Sequence, residues 1–244
     1  MNERLLIVPD THAPYHDQRA WKLMMKAARQ FKPTVIVHLG DLADFYVVSS
    51  HSKDPSRKAQ LRDEVKEVKR LRKQLDNLGA KRKLFIEGNH EDRLRRYLED
   101  KAPELFGMFD TDSLLGLSEN GWEFTPYKQA ARVGKVWFTH DTQTSGKYST
   151  AHALAAFQHS VVIGHHHAIQ YSVEGDATGK HRVGAQFGWL GDVKQVDYMH
   201  SIKAKRGWSL GFGIGYMDKD GTVFLQPVPI VNYRCCVAGR IYRG

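Results

Sequence analysis

The stretch Leu5-Leu6-Ile7-Val8-Pro9-Asp10-Thr11-His12 joins an apolar run directly to a carboxylate and an imidazole. Four consecutive large aliphatic residues are typical of a strand that is buried on both faces. We therefore predict a strand over residues 4–9. The polar pair behind it would lie at the carboxyl end of that strand, where the loops of an open α/β sheet form a crevice. The stretch predicts a layered α/β fold and the place of a site within it.

Four more polar clusters follow predicted strands in the same way. The strands are expected at 34–39, 83–87, 136–139 and 161–163, from their β-branched and apolar residues. Behind them come Gly40-Asp41, Gly88-Asn89-His90-Glu91, His140 and Gly164-His165-His166-His167. A single cluster of this kind is often an ordinary turn or a hydrogen-bonded histidine. Five clusters at five strand ends favour one shared site.

Amphipathic helices are predicted between the strands. Residues 17–31 carry an apolar stripe on one face, with Asp17 in the N-cap position. Residues 59–78 form a second helix, whose basic side chains alternate with acidic ones at spacings of three and four. This pattern is typical of ion pairs on a solvated surface. Further helices are expected from about residue 92 and over 151–157.

After residue 169 the pattern changes to alternating strands and glycine turns. A hairpin is predicted at Asp218-Lys219-Asp220-Gly221, between strands at 211–216 and 222–228. We expect residues 169–233 to complete a second sheet and residues 234–244 to form a loosely ordered basic tail. Since no repeat, linker or domain boundary is evident, residues 1–244 are predicted to form a single domain.

The composition restricts the class of protein. The 244 residues contain 41% hydrophobic and 26% charged residues, as in a globular protein rather than a disordered or fibrous one. No apolar stretch approaches the roughly 18 residues that a membrane span requires, and the N-terminus does not resemble a signal peptide. The two cysteines, Cys235 and Cys236, are adjacent and offer no disulfide framework. We expect a cytoplasmic protein without a membrane partner.

The formal net charge of +9 favours a polyanionic partner such as nucleic acid, because Lys and Arg displace counterions from phosphates. The alternative is a basic surface that only keeps the protein in solution. Several later residues could stack on or contact a nucleic-acid strand, or could equally belong to the core. They are Tyr148, Tyr171, Trp189, Tyr198, Lys203, Lys205, Arg206 and Trp208.

The five polar clusters share the chemistry of metal ligands. Carboxylates, imidazoles and an amide oxygen suit Mn²⁺, Fe, Zn²⁺ or Ni²⁺. Two such ions roughly 3.5–4 Å apart can hold a phosphoryl group, lower the pKa of a bound water and stabilise the leaving oxygen, with one carboxylate bridging them. Gly40, Gly88 and Gly164 would let the backbone approach the ions without an intervening Cβ.

The ordered set Asp10-x-His12, Gly40-Asp41, Gly88-Asn89-His90-Glu91, His140 and Gly164-His165-x-His167 closely resembles the motifs of the calcineurin-like metallophosphoesterases. The resemblance covers about residues 5–168. It implies a two-sheet βαββαβ sandwich flanked by helices. It also implies two divalent metal ions, for which Mn²⁺ is our first choice, and hydrolysis of a phosphate-ester substrate by metal-activated hydroxide.

The same resemblance implies a role for each residue. Asp10, His12 and His167 would hold one metal, Asn89, His140 and His165 would hold the other, and Asp41 would bridge both. His90 would be catalytic together with Asp41, as a proton donor or transition-state stabiliser beside the leaving-group oxygen. Glu91 would orient its own segment, and His166 would be a variable position without a ligand role.

Two departures from the family pattern bear on the substrate. Protein Ser/Thr phosphatases of this superfamily usually continue the second motif as Gly-Asp-x-x-Asp-Arg-Gly, but here Phe45 follows Asp44. The arginine that grips phosphate is therefore missing. Asp44 could support a ligating histidine or be a solvated turn residue. Asp141 follows His140 where many relatives have glycine, a change that could affect only the geometry of the loop.

Three functions remain open from the sequence. A phosphodiesterase acting on DNA or RNA leads, supported by the net charge and the missing arginine. Arg93, with Asn89, is the candidate substrate contact, because an arginine fork matches phosphate oxygens. The alternatives are a phosphomonoesterase acting on a phosphoprotein, nucleotide or metabolite, and a catalytically inactive binding module. Inactive relatives usually lose ligands, and this chain keeps all seven. The oligomeric state stays open.

Overall fold

The computed structural model describes residues 3–51, 53–54, 60–144, 146–195 and 207–244. Two β-sheets share an apolar core, and helices cover their outer faces. In chain order the elements are β1 (Glu3–Val8), α1 (Gln18–Phe31), β2 (Val35–His38), α2 (Leu61–Asp76), β3 (Arg82–Ile86), α3 (Asp92–Lys101), α4 (Thr111–Leu115), β4 (Trp122–Thr125), β5 (Ala131–Val133), β6 (Val136–Thr139), α5 (Ser149–Phe157), β7 (Ser160–Ile163), β8 (Ile169–Gly175), β9 (His181–Phe187), β10 (Gly211–Met217), β11 (Val223–Pro229), β12 (Arg234–Val237) and β13 (Arg240–Arg243).

The strand order places the predicted clusters at common edges. The first sheet has the order β11-β10-β1-β2-β3-β4, and the second has the order β5-β6-β7-β9-β8. β1 to β4 pair in parallel, and so do β6 and β7. The carboxyl ends of β1, β2 and β3 therefore lie side by side, as the sequence predicted, and those of β6 and β7 do the same in the second sheet.

Burial of β1 on both faces explains its unbroken apolar run. Leu5 and Ile7 belong to the core between the two sheets, together with residues such as Phe138. Leu6 and Val8 belong to the core beneath α1 and α2. The two-sheet α/β fold expected from the family resemblance is confirmed in this arrangement.

The predicted start of α1 is also confirmed. The Asp17 side chain accepts hydrogen bonds from the backbone N–H groups of Arg19 and Ala20, each at 2.9 Å. This is the bonding of an N-cap residue, which satisfies donors that the first helical turn leaves free. Because Asp17 follows the first polar cluster closely, the cap also fixes where the loop carrying that cluster ends.

The C-terminal third corrects one prediction. Of the strands described within residues 169–233, β8 and β9 join the second sheet, but β10 and β11 belong to the first, so the expectation that residues 169–233 complete the second sheet was wrong. β10 pairs antiparallel with β1, and β11 extends the first sheet beyond it. Without β10, one side of β1 would leave its backbone N–H and C=O groups unpaired within the fold.

Residues 234–244 are not a loose tail. β12 and β13 form an antiparallel hairpin against α1. Cys235, Val237 and Tyr242 alternate along the hairpin and are buried in the core that α1 also lines. Burial of these apolar side chains orders the segment despite its basic charge.

Some predictions fall on residues that the structure does not describe. Ala59, the expected start of the second helix, is one of them, and the others are Tyr198, Lys203, Lys205 and Arg206. Within the described part of the chain, the second helix begins at Leu61. No helix in the described ranges has the length and apolar character needed to cross a membrane.

Candidate metal centre

The predicted ligands meet at the strand ends. Three groups of side chains each place one donor atom from every member within 4.8 Å of the others. The groups are Asp10, His12 and His167; His12, Asp41 and His90; and Asp41, His140 and His165. Asn89 joins the last group, because its Oδ1 lies 2.9 Å from His140 Nε2 and 2.8 Å from His165 Nδ1. All seven residues expected to bind metal therefore share one site.

Asp41 connects these groups. Its Oδ2 lies 4.0 Å from His12 Nε2 on one side and 3.4 Å from His140 Nε2 on the other. The same oxygen is 3.8 Å from His90 Nε2. The carboxylate thus occupies the place between the two sets of donors that a bridging ligand would take.

In the first group, two imidazole nitrogens approach each other closely. His12 Nε2 and His167 Nε2 are 3.0 Å apart, and His167 Nε2 is 3.2 Å from Asp10 Oδ2. A contact between two such nitrogens requires either a proton or a cation between them. The donor atoms therefore fit a bound cation, in number and in chemistry.

Two tryptophans form the apolar wall of this group. Trp189 stacks on His167, with 4.6 Å between ring centroids and 14° between ring planes. Trp208 meets His167 edge-on, also at 4.6 Å. The sequence left these residues open between nucleic-acid stacking and the core, and the structure places both against a predicted ligand.

In the last group, a hydrogen bond orients the predicted ligand His140. His140 Nδ1 lies 2.7 Å from the Leu39 carbonyl oxygen, to which it donates. His140 Nε2 then faces Asn89 and Asp41. Metal-binding histidines commonly donate their second ring nitrogen to a carbonyl or carboxylate in this way.

Charges within the centre stabilise one another. Burial by itself raises the pKa of Asp10, but the hydrogen bond from His167 and the nearby charge of His140 lower it to about 2. Burial likewise opposes protonation of His140, yet the Asp41 carboxylate raises the pKa of His140 to about 10. For Asp41, the histidines outweigh burial and hold the pKa well below its usual value. Asp10 and Asp41 therefore stay ionised and supply the negative charge that a cation site needs.

The backbone is strained where the ligands leave it. His12, Asp41, His165 and His167 have positive φ angles of 55°, 50°, 68° and 57°. This left-handed conformation costs a residue with a side chain on the order of 1–3 kcal/mol, and such residues cluster at functional sites. The fold therefore holds four of the seven predicted ligands in a conformation that a free chain would avoid.

Two of the motif glycines leave space for the carboxylates of predicted ligands. A Cβ on Gly88 would lie 2.1 Å from Asp41 Oδ1, and a Cβ on Gly164 would lie 2.8 Å from Asp10 Oδ1. In both places the carboxylate of a predicted ligand occupies the volume that a side chain would need.

Glu91 ties the second and third motifs together. It is fully buried, and its Oε2 accepts from the backbone N–H groups of Asp41 at 2.8 Å and Gly88 at 3.0 Å. Its Oε1 accepts from Ala43 N at 2.8 Å. The supporting role that the sequence assigned to Glu91 would act through these backbone hydrogen bonds.

Asp44 lies beneath the centre rather than in a solvated turn. Its Oδ2 is 3.3 Å from His12 Nδ1 and 3.3 Å from His90 Nδ1, and its side chain is 4% exposed. Burial raises the pKa of Asp44, but the two histidines more than reverse this and hold the pKa below its usual value. This is the position of a carboxylate that orients ligating imidazoles.

Arg93, the predicted substrate contact, is turned toward the protein. Its Nη1 donates to the Asp44 carbonyl oxygen at 2.7 Å, and its Nη2 is 3.1 Å from His90 Nε2. In this arrangement Nη2 donates to Nε2, so His90 carries its own proton on Nδ1, toward Asp44. A proton-donor role for His90 would therefore require Arg93 to leave Nε2 when substrate binds.

An open cleft of about 560 Å³ lies beside the last group of ligands. Its lining includes Asn89, Arg93, Arg95, Arg96, Tyr127, Lys128, Asp141 and His165. Asp141 accepts a hydrogen bond from the Tyr127 hydroxyl at 2.6 Å, so its departure from the family pattern adds a polar group to the cleft. Sequence reasoning missed Tyr127 and Lys128. Their only signal is that they follow β4, the last parallel strand of the first sheet.

Comparisons with known proteins agree with this geometry. A family model described as calcineurin-like phosphoesterase matches residues 3–199. The Gene 54 protein of Mycobacterium phage D29 is 27% identical over 256 residues, and that of Mycobacterium phage L5 is 28% identical over 264 residues. Each alignment covers 99% of both chains.

Among solved structures, Vacuolar Protein Sorting 29 from Cryptosporidium parvum is similar, with a TM-score of 0.51 and 12% identity over 98% of this chain and 94% of that chain. This likeness concerns the fold alone. The family model, by contrast, matches most of the chain, including all five motifs whose side chains meet at the strand ends. The protein belongs to the calcineurin-like phosphoesterases, hydrolases that act on phosphate esters.

Proposed function

We propose that the protein is a dinuclear metal-dependent phosphodiesterase that hydrolyses nucleic acid. The position of Asp41 carries the dinuclear part of the proposal. A single carboxylate within 4.0 Å of His12 Nε2 and 3.4 Å of His140 Nε2 suits two ions held close together. Membership of the family supports the hydrolysis of phosphate esters.

Each set of donors would hold one ion. Asp10, His12 and His167 form the first set, Asn89, His140 and His165 form the second, and Asp41 is shared. When bound, such ions supply a hydroxide nucleophile near neutral pH and stabilise charge on the phosphoryl oxygens. Mn²⁺ is our first choice, with Fe, Zn²⁺ and Ni²⁺ as alternatives, because the donors include no thiolate.

The remaining residues position these donors. Asp44 orients His12 and His90 through their Nδ1 atoms. Glu91 holds the backbone of the second and third motifs in register, and the N–H of His90 donates to Asp41 Oδ1 at 2.9 Å. His90 and Arg93 lie next to each other and would act on the leaving-group side of the substrate.

The cleft supports a nucleic-acid substrate. It is open, and its lining carries Lys128 and three arginines, Arg93, Arg95 and Arg96, which also form ion pairs within the protein. The Asp141 carboxylate faces the same cleft and would repel the dianion of a phosphate monoester more than the single charge of a diester. Phe45 stands where a protein phosphatase of this superfamily would carry its phosphate-gripping arginine.

Two alternatives remain as candidates. A phosphomonoesterase would use the same ions and would require the cleft to admit a dianionic group beside Asp141. A catalytically inactive binding module is the other, and the likeness of fold to the sorting protein brings no partner to this chain. The presence of every predicted ligand in one site supports an active enzyme instead.

The first test compares bis-p-nitrophenyl phosphate with p-nitrophenyl phosphate after exhaustive dialysis against EDTA. We expect no turnover until Mn²⁺ is added, a preference for the diester, and loss of activity as the pH falls, because ligating imidazoles must be neutral. Full activity in excess EDTA would contradict the metal mechanism. Cleavage of the monoester alone would contradict the nuclease proposal, whereas diester cleavage leads to assays on labelled DNA and RNA strands.

A further inference from the structure

The net positive charge of the chain is concentrated in two segments. Residues 18–32, which are α1 and the residue after it, and residues 233–244, which include the β12–β13 hairpin, contain no Asp or Glu. The first segment carries Arg19, Lys22, Lys26, Arg29 and Lys32, and the second carries Arg234, Arg240 and Arg243. All eight are exposed. Since the formal net charge is +9, the rest of the chain has a net charge of only +1.

The two segments form one surface, which we call the basic face. The hairpin packs against α1, and Lys26 Nζ donates to the Arg243 carbonyl oxygen at 2.9 Å. Arg19 donates to the Gly244 carbonyl oxygen at 3.2 Å, and its guanidinium lies 4.0 Å from the centre of the Tyr233 ring. The end of the chain therefore runs alongside the exposed side of α1.

Within the described ranges, the cations of the basic face have no Asp or Glu side chain as a partner. No ion pair joins any of the eight to an Asp or Glu within the described ranges of the chain. The Asp17 carboxylate, at the start of α1, accepts hydrogen bonds from the backbone of the first helical turn and from the Tyr233 hydroxyl at 2.9 Å. Solvated basic surfaces usually contain acids that pair with the cations, and this surface does not.

The arrangement also opposes the stability of the isolated protein. Arg234 and Arg243 lie directly opposite each other in the hairpin, and like charges in that relation are destabilising. Arg19 lies in the first turn of α1, which contains no acidic residue, and the helix dipole disfavours a cation there. A bound polyanion would offset both unfavourable effects. A basic surface that only keeps the protein in solution would not need cations in these two unfavourable positions.

We propose that the basic face docks the phosphate backbone of nucleic acid without reading its sequence. The proposal deepens the proposed function and rests on it in taking nucleic acid as the substrate. Arg19, Lys22, Lys26 and Arg29 recur at spacings of three and four, so they form one stripe along α1. The stripe extends about 15 Å, a length over which one strand of B-form DNA presents about four phosphates.

The basic face begins at the same end of the first sheet as the metal centre. α1 starts soon after His12, and the backbone N–H of its cap residue Asp17 donates to the Leu190 carbonyl oxygen at 2.8 Å. The neighbouring Leu190 N–H donates to the Asp10 carbonyl oxygen at 2.7 Å. Nucleic acid held along α1 would thus be anchored on the flank of the molecule that leads to the catalytic loops.

The test measures binding with the chemistry switched off. The full-length protein in EDTA is titrated into a fluorescein-labelled 30-base-pair DNA duplex at several salt concentrations, and anisotropy is recorded. The test variant combines Lys22→Gln, Lys26→Gln, Arg234→Gln and Arg243→Gln. We expect its Kd at 0.1 M salt to rise at least about tenfold, and the slope of log K against log salt to fall by about 3 to 4.

A matched variant controls for net charge. The control variant removes an equal number of positive charges from the exposed side of α2. It combines Arg62→Gln, Lys66→Gln, Lys69→Gln and Lys73→Gln. We expect its Kd for the duplex to change less than about threefold. Equal weakening by both variants would overturn the proposal, since net charge alone would then explain binding. Failure of the parent protein to bind the duplex would also overturn the proposal.

Two further measurements separate the explanations. Capture of the parent by vesicles of phosphatidylserine and phosphatidylcholine, without binding to the duplex, would replace nucleic acid by an anionic membrane and overturn the proposal. Mn²⁺-dependent hydrolysis of bis-p-nitrophenyl phosphate should be equal in parent and test variant, which shows that the fold and centre are intact. Selective loss of duplex binding in a protein that hydrolyses no diester would uphold docking while the proposed function fails.

Discussion

The metal centre and the basic face hold charge in opposite ways. In the centre, buried carboxylates and imidazoles face each other, as Asp41 and His140 do at 3.4 Å, so each charge is stabilised within the protein. On the basic face, eight exposed cations have no Asp or Glu partner in the part of the chain that the structure describes. The comparison teaches that chemistry and docking are assigned to separate regions, so each should be removable without the other.

The largest effect is expected from Asp41→Asn, which tests whether chemistry is confined to the centre. The change removes the carboxylate that we propose is shared by the two ions, and with it the negative charge that raises the pKa of His140. We expect Mn²⁺-dependent turnover of bis-p-nitrophenyl phosphate to fall at least about 10³-fold, or about 4 kcal/mol, while the Kd for duplex DNA in EDTA changes less than about threefold.

Asp63→Asn is the matched control for this prediction, because Asp63 is exposed on α2 and distant in sequence from every motif. It should keep full turnover. If Asp41→Asn retained parental turnover, the bridging role would be refuted, and the separation between the two regions would lose its basis.

His90→Asn sharpens the description of the centre. His90 Nε2 lies 3.8 Å from Asp41 Oδ2 and 3.1 Å from Arg93 Nη2, so the same atom could face a metal or the leaving group. We expect turnover to fall about 10²-fold with an unchanged number of bound metal ions, measured by inductively coupled plasma mass spectrometry. Loss of an ion would identify His90 as a ligand. His166→Asn, at the variable position, is the control and should keep its metal.

Gly88→Ala tests how rigidly the centre is built. The added methyl would lie 2.1 Å from Asp41 Oδ1, so the carboxylate or the loop must move. We expect a loss of about 1–3 kcal/mol in stability, measured by thermal unfolding, and at least about tenfold slower diester hydrolysis. Gly175→Ala is the control, since its nearest neighbour is the His181 ring at 3.5 Å. Equal effects of the two changes would show that the centre tolerates displacement.

Glu64 is a buried carboxylate outside the metal centre and gives the smallest predicted effect. It is 1% exposed, and within the described ranges no cation forms an ion pair with it. Burial, and then the charge of Asp44, raise the pKa of Glu64 from 4.5 to about 8. The folded state therefore keeps a proton on Glu64 at pH values where the unfolded chain has lost it. The stability that this proton contributes is present below about pH 4.5 and lost as the pH rises through 8.

Glu64→Gln should remove this loss of stability at high pH. We expect the Tm of the variant relative to the parent to increase between pH 5 and pH 9, because only the parent loses the stability that the Glu64 proton contributes. Glu67→Gln is the control and should show no such trend, because the hydrogen bond from Arg70 lowers the pKa of Glu67 and both folded and unfolded states are ionised there above about pH 5. A Tm difference that stays constant with pH would contradict the assignment for Glu64.

The sequence was most informative where local pattern decides structure. The apolar run Leu5–Val8 is buried on both faces, and the ligands behind it are fixed by their distance from the strand end. The same holds for the clusters behind β2, β3, β6 and β7. Each strand and the predicted ligand behind it lie on one short segment of the chain, so their relative position does not depend on a long-range contact.

Long-range pairing was the information that the sequence lacked. The strand Gly211–Met217 is apolar enough for either sheet, and only its pairing with β1 decides between them. Tyr127 and Lys128 carry no motif and reach the cleft through the topology of β4. The inward direction of Arg93 depends on Asp44, which is distant in sequence. By contrast, the absence of acids from residues 18–32 and 233–244 could have been read directly, although not that the two segments touch.

The ring of Trp189 lying flat on His167 gives the centre a built-in optical reporter. Indole emission is quenched by a nearby paramagnetic ion, so Mn²⁺ bound through Asp10, His12 and His167 would dim this tryptophan. An ion bound only through Asn89, His140 and His165 would affect its emission less. The order in which the two positions fill could therefore be followed by titration, in the absence of any substrate.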